Sequence, residues 1–533
     1  MMWAGVEPQP QKYNVTYLNI MKQIVELLES NEIFVLLDMH QDLLSSRTGS
    51  YDGIPGWLYD RFPAPNHPFP WPFKSGAGAN WFDLYLTEAC SHAFQCLYDN
   101  IGGAIESMSD FWRVVATTYK NYSNILGYEI INEPWAGNYF ANPTLFLPGI
   151  AGEKNLQPLY EKVAKAIRSV DNDTLIFYEP VTWGVRLNGK YFGTGFTHVP
   201  GGDDYRNRSV LSYHYYCIIL SVKPVPDNST IPVFDRLLCD DVEGPALFRS
   251  VQTDLAQLGG SAFLTEFGGC DGSPTCDEQL DWGLDAADQF LQSWAYWGDI
   301  FGHTSAIKRI SRIYARAISG KPLAMQYIAS QRLFYLSYYI DPAIKKPTEI
   351  YIPPLQFPQQ SYNVTVNAVL KWKIDPLNSN IILVEPNVQL VKSNNPSMIG
   401  VVEICPKKQI SIFELFQFEN ELEFYKQSHT IATTILNIQI QQEQTSTQYH
   451  IHILFIAYAS AFELFTCKLY SRKFQPDRLL HVIRSVNFLI VNISSLYKEK
   501  FRWLIIVEKK RIVIAINGYF DEVRFMDNDD DEF

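Results

Sequence analysis

Glu133 and Glu266 are the residues best placed to do chemistry. Each closes a short apolar run: residues 127–135 read GYEIINEPW, and residues 263–268 read FLTEFG. Runs of this length and character fit strands of a parallel sheet buried on both faces, so both carboxylates stand where strands end. Pro134 cannot donate to a sheet ladder and stops the first strand. That leaves Asn132 free to hydrogen-bond a substrate hydroxyl and Glu133 free to exchange a proton. A surface glutamate beside a turn proline would also explain Glu133 alone, but it does not explain a second strand that ends in the same way. Two carboxylates on one rim suit glycoside hydrolysis, in which one protonates the leaving oxygen and the other attacks the anomeric carbon.

Other polar groups fall at strand ends too. The apolar run 33–38 finishes in Asp38-Met39-His40-Gln41-Asp42, and Asp38, His40 and Asp42 are of the right type to bind sugar hydroxyls. The run 210–216 ends in Tyr213-His214-Tyr215-Tyr216, from which His214 or Tyr215 can fix the ionisation of Glu266. For His214 a hydrogen-bonded core histidine remains an open alternative. No His pair has the helical spacing of a zinc site, so the chemistry is expected to need no metal or cofactor.

The elements that must position these groups alternate. A helical stripe (Tyr17, Ile20, Met21, Ile24, Leu27, Leu28) precedes the strand 33–38. A second stripe (Ile105, Met108, Phe111, Trp112, Val115, Tyr119) precedes the Glu133 strand, and a third (Leu159, Tyr160, Val163, Ile167) precedes the strand 175–178. Further strands are expected at 210–216, 260–266 and 293–297. Strand and helix in alternation predict an α/β fold, a (β/α) barrel with right-handed crossovers. Residues 1–8 read as the second half of a strand, which with six more leaves the ring of eight without its first strand. The loop 45–80, rich in Gly, Pro and aromatics, is expected to wall the substrate cleft. After Gly320 short extended runs at 333–340, 349–352, 362–369 and 381–384 read as a small β-sandwich. The expected domains are an incomplete barrel over 1–324, a sandwich over 325–390, and an unassigned region over 391–533 that ends in an acidic tail.

A chain of 533 residues exceeds one ordinary core, and a net charge of −13 with a pI near 5.3 argues against nucleic-acid partners. Cys90 with Cys96, Cys217 with Cys239 and Cys270 with Cys276 suggest local disulfides, and Asn14, Asn121, Asn172, Asn207, Asn228 and Asn363 each begin an N-x-S/T acceptor triplet. Together they point to a secreted or lysosomal glycoprotein, although residues 1–20 carry no secretory signal and no apolar run reaches membrane-spanning length.

The motifs MWAGVEP, LLDMHQD, INEPW, EPVTWG, PGG followed by SYHYYC, LTEFGG and SWAYW, in this order, resemble the endoglycoceramidases of glycoside hydrolase family 5 over about residues 1–390. The resemblance includes the PTEIYIPPLQFP stretch of that family's C-terminal β-sandwich. It implies Glu133 as acid/base and Glu266 as nucleophile of a retaining mechanism. Asp38, His40, Asp42, Asn132, Trp81, Tyr215 and Trp297 then fall on or near substrate-contacting positions. It implies a glycosphingolipid substrate cleaved between oligosaccharide and ceramide, with transient contact to a membrane surface. Close relatives instead remove glucose from glucosylceramide or steryl glucosides, and a catalytically inactive glycolipid-binding relative is a further alternative. Three departures accompany the resemblance. The family's first strand and a basic residue near it are expected upstream of Met1, the loop between Trp297 and Arg309 is short, and residues after about 391 have no counterpart.

Overall fold

The computed structural model describes residues 1–74, 81–181, 193–217, 238–269, 274–298, 304–387 and 398–407, together with the backbone of six strands between 434 and 524. The chain divides into two units, Met1–Lys407 and Lys408–Phe533.

Six strands form one parallel sheet in chain order: β1 (Val35–Asp38), β2 (Ile125–Glu129), β3 (Leu175–Tyr178), β4 (Ser209–Tyr215), β5 (Ser261–Gly268) and β6 (Ser293–Trp297). All six run the same way, so their carboxyl ends share one rim, where α/β folds carry their sites. β4 is buried at every position, as a strand covered on both faces must be, and Val210, Leu211, Tyr213 and Tyr215 supply its apolar and aromatic bulk. Helices Ala104–Tyr119 and Gln157–Arg168 cover the sheet with Phe111, Trp112, Val115, Leu159, Tyr160 and Val163, all essentially inaccessible to solvent.

The expected α/β barrel architecture is therefore present, as a six-stranded parallel half-barrel, but two details differ. Residues Trp3–Val6 form a helical turn rather than the end of a strand. The turn is closed by Gly5 and Val6 N–H donating to the Met2 carbonyl, and the Trp3 ring stacks on Phe111 at 5.3 Å. The sheet among the described residues thus holds six strands, two short of a closed ring, with β1 and β6 at its edges. The helix Val15–Ser30 is capped by Asn14 as its sequence suggests, yet it buries only Leu18 and Val25 fully. Ile20, Ile24 and Leu27 belong to the expected apolar stripe but are exposed, as is Phe34 beside the β1 edge. A helix carrying apolar residues on more than one face cannot turn all of them to a single sheet.

Eight further strands make the sandwich. In chain order they are β7 (Tyr314–Ala317), β8 (Gly320–Ile328), β9 (Leu333–Ile340), β10 (Thr348–Tyr351), β11 (Tyr362–Val366), β12 (Leu370–Ile374), β13 (Ile381–Pro386) and β14 (Ile399–Pro406). One sheet has the order β12-β13-β10-β7, the other β11-β14-β9-β8, and together they enclose Phe334, Leu336, Tyr338, Ile350, Ile382, Val384, Val402 and Ile404. The sandwich so begins earlier and ends later than the expected 325–390. β7 is hidden in the basic run around Arg312 and Arg316, and β14 follows the polar sequence 392–397. Only their pairing with β10 and with β9 and β11 makes them strands.

In the second unit β15 (Thr434–Gln442), β16 (Tyr449–Tyr458) and β17 (Phe462–Ser471) form one antiparallel sheet, and β18 (Trp503–Glu508), β19 (Arg511–Ile516) and β20 (Tyr519–Arg524) another. The apolar run 450–465 is divided between β16 and β17. No described helix is long and apolar enough to cross a membrane.

The cysteines follow expectation in part. Cys217 and Cys239 are bonded, and Cys276 is in a disulfide, while Cys270 lies outside the described residues. Cys90 and Cys96 are free and buried. They share the helix Glu88–Tyr98, and six residues of helix separate them by about 9 Å along its axis, beyond the reach of a disulfide.

Candidate active site

Glu133 follows β2 by four residues and adopts φ +38°, in the left-handed region that a side chain makes costly. Contacts from both neighbouring strands hold it there. From beyond β1, the Gln41 side-chain amide donates to the carbonyls of Asn132 (2.6 Å) and Glu133 (2.9 Å). From the end of β3, Glu179 accepts the Glu133 N–H at 2.6 Å. Asn132 is buried, and its amide donates to the Gln41 carbonyl at 3.0 Å, so it braces the β1 and β2 ends against each other.

Glu266 comes from β5. Tyr213 pairs with Leu264 but His214 with Glu266, so the register slips at Thr265, and the slip brings His214 and Glu266 level. His214 Nδ1 lies 2.9 Å from Glu133 Oε1, 3.6 Å from Glu266 Oε2 and 3.7 Å from Glu179 Oε1. Ligand atoms of Glu133, His214 and Glu266 all fall within 4.8 Å of one another, as do those of Glu129, Glu179 and His214. A metal ion would tolerate that spacing, but the 2.9 Å contact of His214 with Glu133 is already a direct hydrogen bond.

Burial and charge shape the ionisation of this group. Burial alone would strip the proton from His214, but the carboxylates of Glu179, Glu266 and Glu133 outweigh it and hold the imidazole charged well above its ordinary range. Burial raises Glu266 above the usual carboxylate value. His214 pulls it back, the neighbouring Glu133 raises it, and the Tyr216 hydroxyl, donating at 2.8 Å, favours the ionised form. Burial also raises Glu129 to about 7, with the charge of Asp38 adding to it.

At the end of β1, His40 Nδ1 meets Asp38 Oδ2 at 2.8 Å, and the imidazole stacks on Trp297 from the end of β6 with centroids 5.2 Å apart. Burial opposes its charge, but the hydrogen bond and charge of Asp38, helped by Asp42 and Glu266, raise it to about 9. Asp42 is pushed up to about 6, by burial first and then by the charge of Asp52, whose carboxylate accepts the Asp42 N–H at 2.8 Å. Trp297 remains 46 % exposed, an open aromatic face beside a cationic imidazole.

The structure thus gathers Asp38, His40, Asp42, Asn132, Glu133, His214, Glu266 and Trp297 at one rim. Tyr215 is the exception among the expected residues. It points to the opposite face of β4, is buried against Trp282 at 5.0 Å, and donates to the Cys239 carbonyl at 3.3 Å. Strand side chains alternate, so if His214 faces the site Tyr216 does too, and Tyr216 makes the contact with Glu266 that was expected of its neighbour. The Trp81 side chain lies outside the described residues. Gln41, Glu129, Glu179 and Tyr216 were not singled out from the sequence. Of these, Tyr216 had a local signal in its two-residue spacing from His214, and Glu179 in ending the apolar run 175–178 ahead of Pro180.

Two strand-end glutamates flanking a charged histidine on a parallel half-barrel define a carboxylate-pair site of the glycosidase kind. Residues 1–298 match the cellulase family, glycosyl hydrolase family 5, and residues 312–395 match the glycoside hydrolase family 5 C-terminal domain. The chain belongs to glycoside hydrolase family 5. It is 36% identical over 375 residues to an endoglycoceramidase of Cyanea nozakii, covering 64% of this chain and 69% of that one. It is 36% identical over 370 residues to one of Hydra vulgaris, covering 63% and 65%. Its fold is similar to that of endo-glycoceramidase II from Rhodococcus sp., with a TM-score of 0.59, 23% identity, and coverage of 76% of this chain and 87% of that one.

Proposed function

We propose that the protein is a retaining endo-β-glycosidase that cleaves glycosphingolipids between oligosaccharide and ceramide. The observation that carries the chemistry is the proximity of Glu133 and Glu266, with carboxylate oxygens within 4.8 Å. Inverting enzymes keep their carboxyls roughly 6.5–9.5 Å apart to admit a water, so the close pair favours direct attack. Glu133 protonates the glycosidic oxygen as Glu266 attacks the anomeric carbon. Ceramide leaves, and Glu133 then takes a proton from the water that releases the sugar. Tyr216 keeps Glu266 ionised and oriented for attack, and His214 balances the charge of the pair. Asp38, His40, Asp42 and Asn132 line the same rim as acceptors and donors for sugar hydroxyls, and Trp297 offers a ring to stack on. The choice of lipid rests on the 36% identity to endoglycoceramidases over the barrel and sandwich.

Such a substrate sits in a bilayer, so the cleft has to meet a membrane surface. The disulfide of Cys217 with Cys239 and the exposed acceptors Asn121, Asn172 and Asn207 support a secreted or lysosomal glycoprotein. Loss of mass on treatment with an N-glycan-removing amidase would test this, and an unchanged mass would reject it.

Incubation with a fluorescent glycosylceramide tests the activity. Release of intact oligosaccharide, first seen by NMR as the β-anomer, is the expected result. Glucose alone would move the assignment to an exo-acting β-glucosidase. The position of β1 and β6 at the sheet edges among the described residues favours a second reading, a glycolipid-binding protein without turnover. Saturable binding with no product would select it.

A further inference from the structure

Glu179 is buried at the end of β3, belongs to neither of the two reacting positions, and touches the backbone of one of them. Its Oε2 accepts the Glu133 N–H at 2.6 Å, and its Oε1 lies 3.7 Å from His214 Nδ1. Its own carbonyl is fixed by the Tyr160 hydroxyl at 2.6 Å, and Pro180 follows, so the carboxyl is carried on a rigid strand end. The peptide it holds is the strained one, with φ +38° at Glu133. Left-handed backbone at a non-glycine residue is costly and persists only where the surroundings enforce it.

We infer that Glu179 is a positioning residue for proton delivery: its carboxyl clamps the Glu133 peptide in the left-handed conformation that sets the Glu133 side chain against His214 and Glu266. Gln41 supplies the other jaw of the clamp through the carbonyls of Asn132 and Glu133. The titratable groups facing Glu179 are Glu133 beyond β2, Glu129 on β2, His214 on β4 and Tyr160 on the covering helix. Burial raises Glu179 well above the usual carboxylate range, with His214 opposing and Glu133 and Glu129 adding. Glutamine matches the carboxyl in shape and still presents an acceptor oxygen to the Glu133 N–H.

The inference rests on the acid/base reading of Glu133, and three variants of the full chain separate the two. Glu179→Leu removes the acceptor, Glu179→Gln keeps it, and Glu133→Gln removes the acid itself. With a poor alkyl or ceramide leaving group, Glu179→Leu should lower kcat/KM by about 10²-fold, the worth of a general acid. With a dinitrophenyl glycoside, which needs no proton, the change should stay within about threefold, because the nucleophile is untouched. Glu179→Gln should remain near the parent on both. Independently of turnover, hydrogen exchange at the Glu133 amide should quicken in Glu179→Leu and stay slow in Glu179→Gln. Equal loss on both substrates, no loss on either, a glutamine variant as impaired as the leucine one, or an unchanged amide would each overturn the inference. If Glu133→Gln itself shows no leaving-group split, the acid/base reading fails instead, while the exchange measurement still decides whether Glu179 holds the peptide.

Discussion

The Tyr216 hydroxyl donates a 2.8 Å hydrogen bond to Oε1 of Glu266, across the slipped register that joins β4 to β5. The contact works against burial, which raises the Glu266 pKa, by stabilising the ionised carboxylate that a nucleophile must be.

Removing that donor should move the acid limb of the pH–rate profile. Glu266 attacks only when deprotonated, so kcat/KM falls as pH drops through its raised pKa. Tyr216→Phe withdraws a hydrogen bond from the charged form, raises that pKa further, and should shift the acid limb upward by about half to one pH unit. Tyr215→Phe loses only a bond to the Cys239 carbonyl and should leave the profile where it was. A profile that responds to Tyr215 and not Tyr216 would reverse the assignment.

Substitution of the two glutamates should separate their roles. Glu266→Gln is expected to abolish turnover of every substrate, since no bond to the anomeric carbon can form. Glu133→Gln should lower kcat/KM about 10²–10⁴-fold on glycosylceramide yet spare an activated aryl glycoside. Steady-state kinetics on the two substrates checks both. Equal loss in Glu133→Gln would remove it from the acid/base role.

The sequence exposed this site unevenly, and the reason is the range of the contacts. Glu133 and Glu266 end apolar runs, a signal confined to a few residues, and all six strands of the parallel sheet were readable in the same way. Tyr216 was legible from alternation, because His214 and Tyr215 cannot both face the rim. Gln41 and Glu179 were visible as strand-end residues but their roles were not, since each role is defined by a bond to a backbone group 46 or more positions away. Arg312 gave no signal at all. It lies in the basic run 308–316, and only the fold shows that it is buried.

The disulfide between Cys217 and Cys239 closes 22 residues and carries into the core the strand end that presents His214 and Tyr216. Closing a loop of that size limits the unfolded chain and is worth about 3 kcal/mol. Cys217→Ala with Cys239→Ala should lower the midpoint of thermal unfolding. It should also weaken activity beyond the stability loss, because β4 loses its tether. Replacing Cys90 and Cys96 by Ala, which breaks no covalent bond, should leave the reducing-agent sensitivity of the melting curve unchanged.

Arg312 joins the half-barrel to the sandwich. Its Nη2 donates to Asp285 Oδ1 at 2.6 Å and Asp288 Oδ2 at 3.1 Å on the helix Pro274–Gln289, and to the Tyr327 carbonyl at 2.7 Å on β8. The Tyr327 N–H returns to Asp288 Oδ2 at 3.0 Å, which closes the network. Removing one partner of a buried pair strands the other, so Arg312→Met should destabilise the chain by about 3–5 kcal/mol. Adding Asp288→Asn should recover part of that loss, because the uncompensated charge is then gone. The pH dependence gives a second check. Burial pushes Asp288 up to about 6 even with Arg312 opposing, so between its unfolded value and 6 the folded state binds more protons than the unfolded state. Stability from this group therefore falls as pH rises through that window. Without Arg312 the folded pKa rises further, so the penalty of Arg312→Met should shrink as pH falls from above that raised value toward about 6, where Asp288 takes up its proton in the parent as well. Denaturant unfolding of the parent, the single variants and the double variant at pH 5 and pH 8 measures both effects. A penalty independent of pH, or a double variant as weak as Arg312→Met, would show that packing rather than charge pairing holds the two folds together at this point.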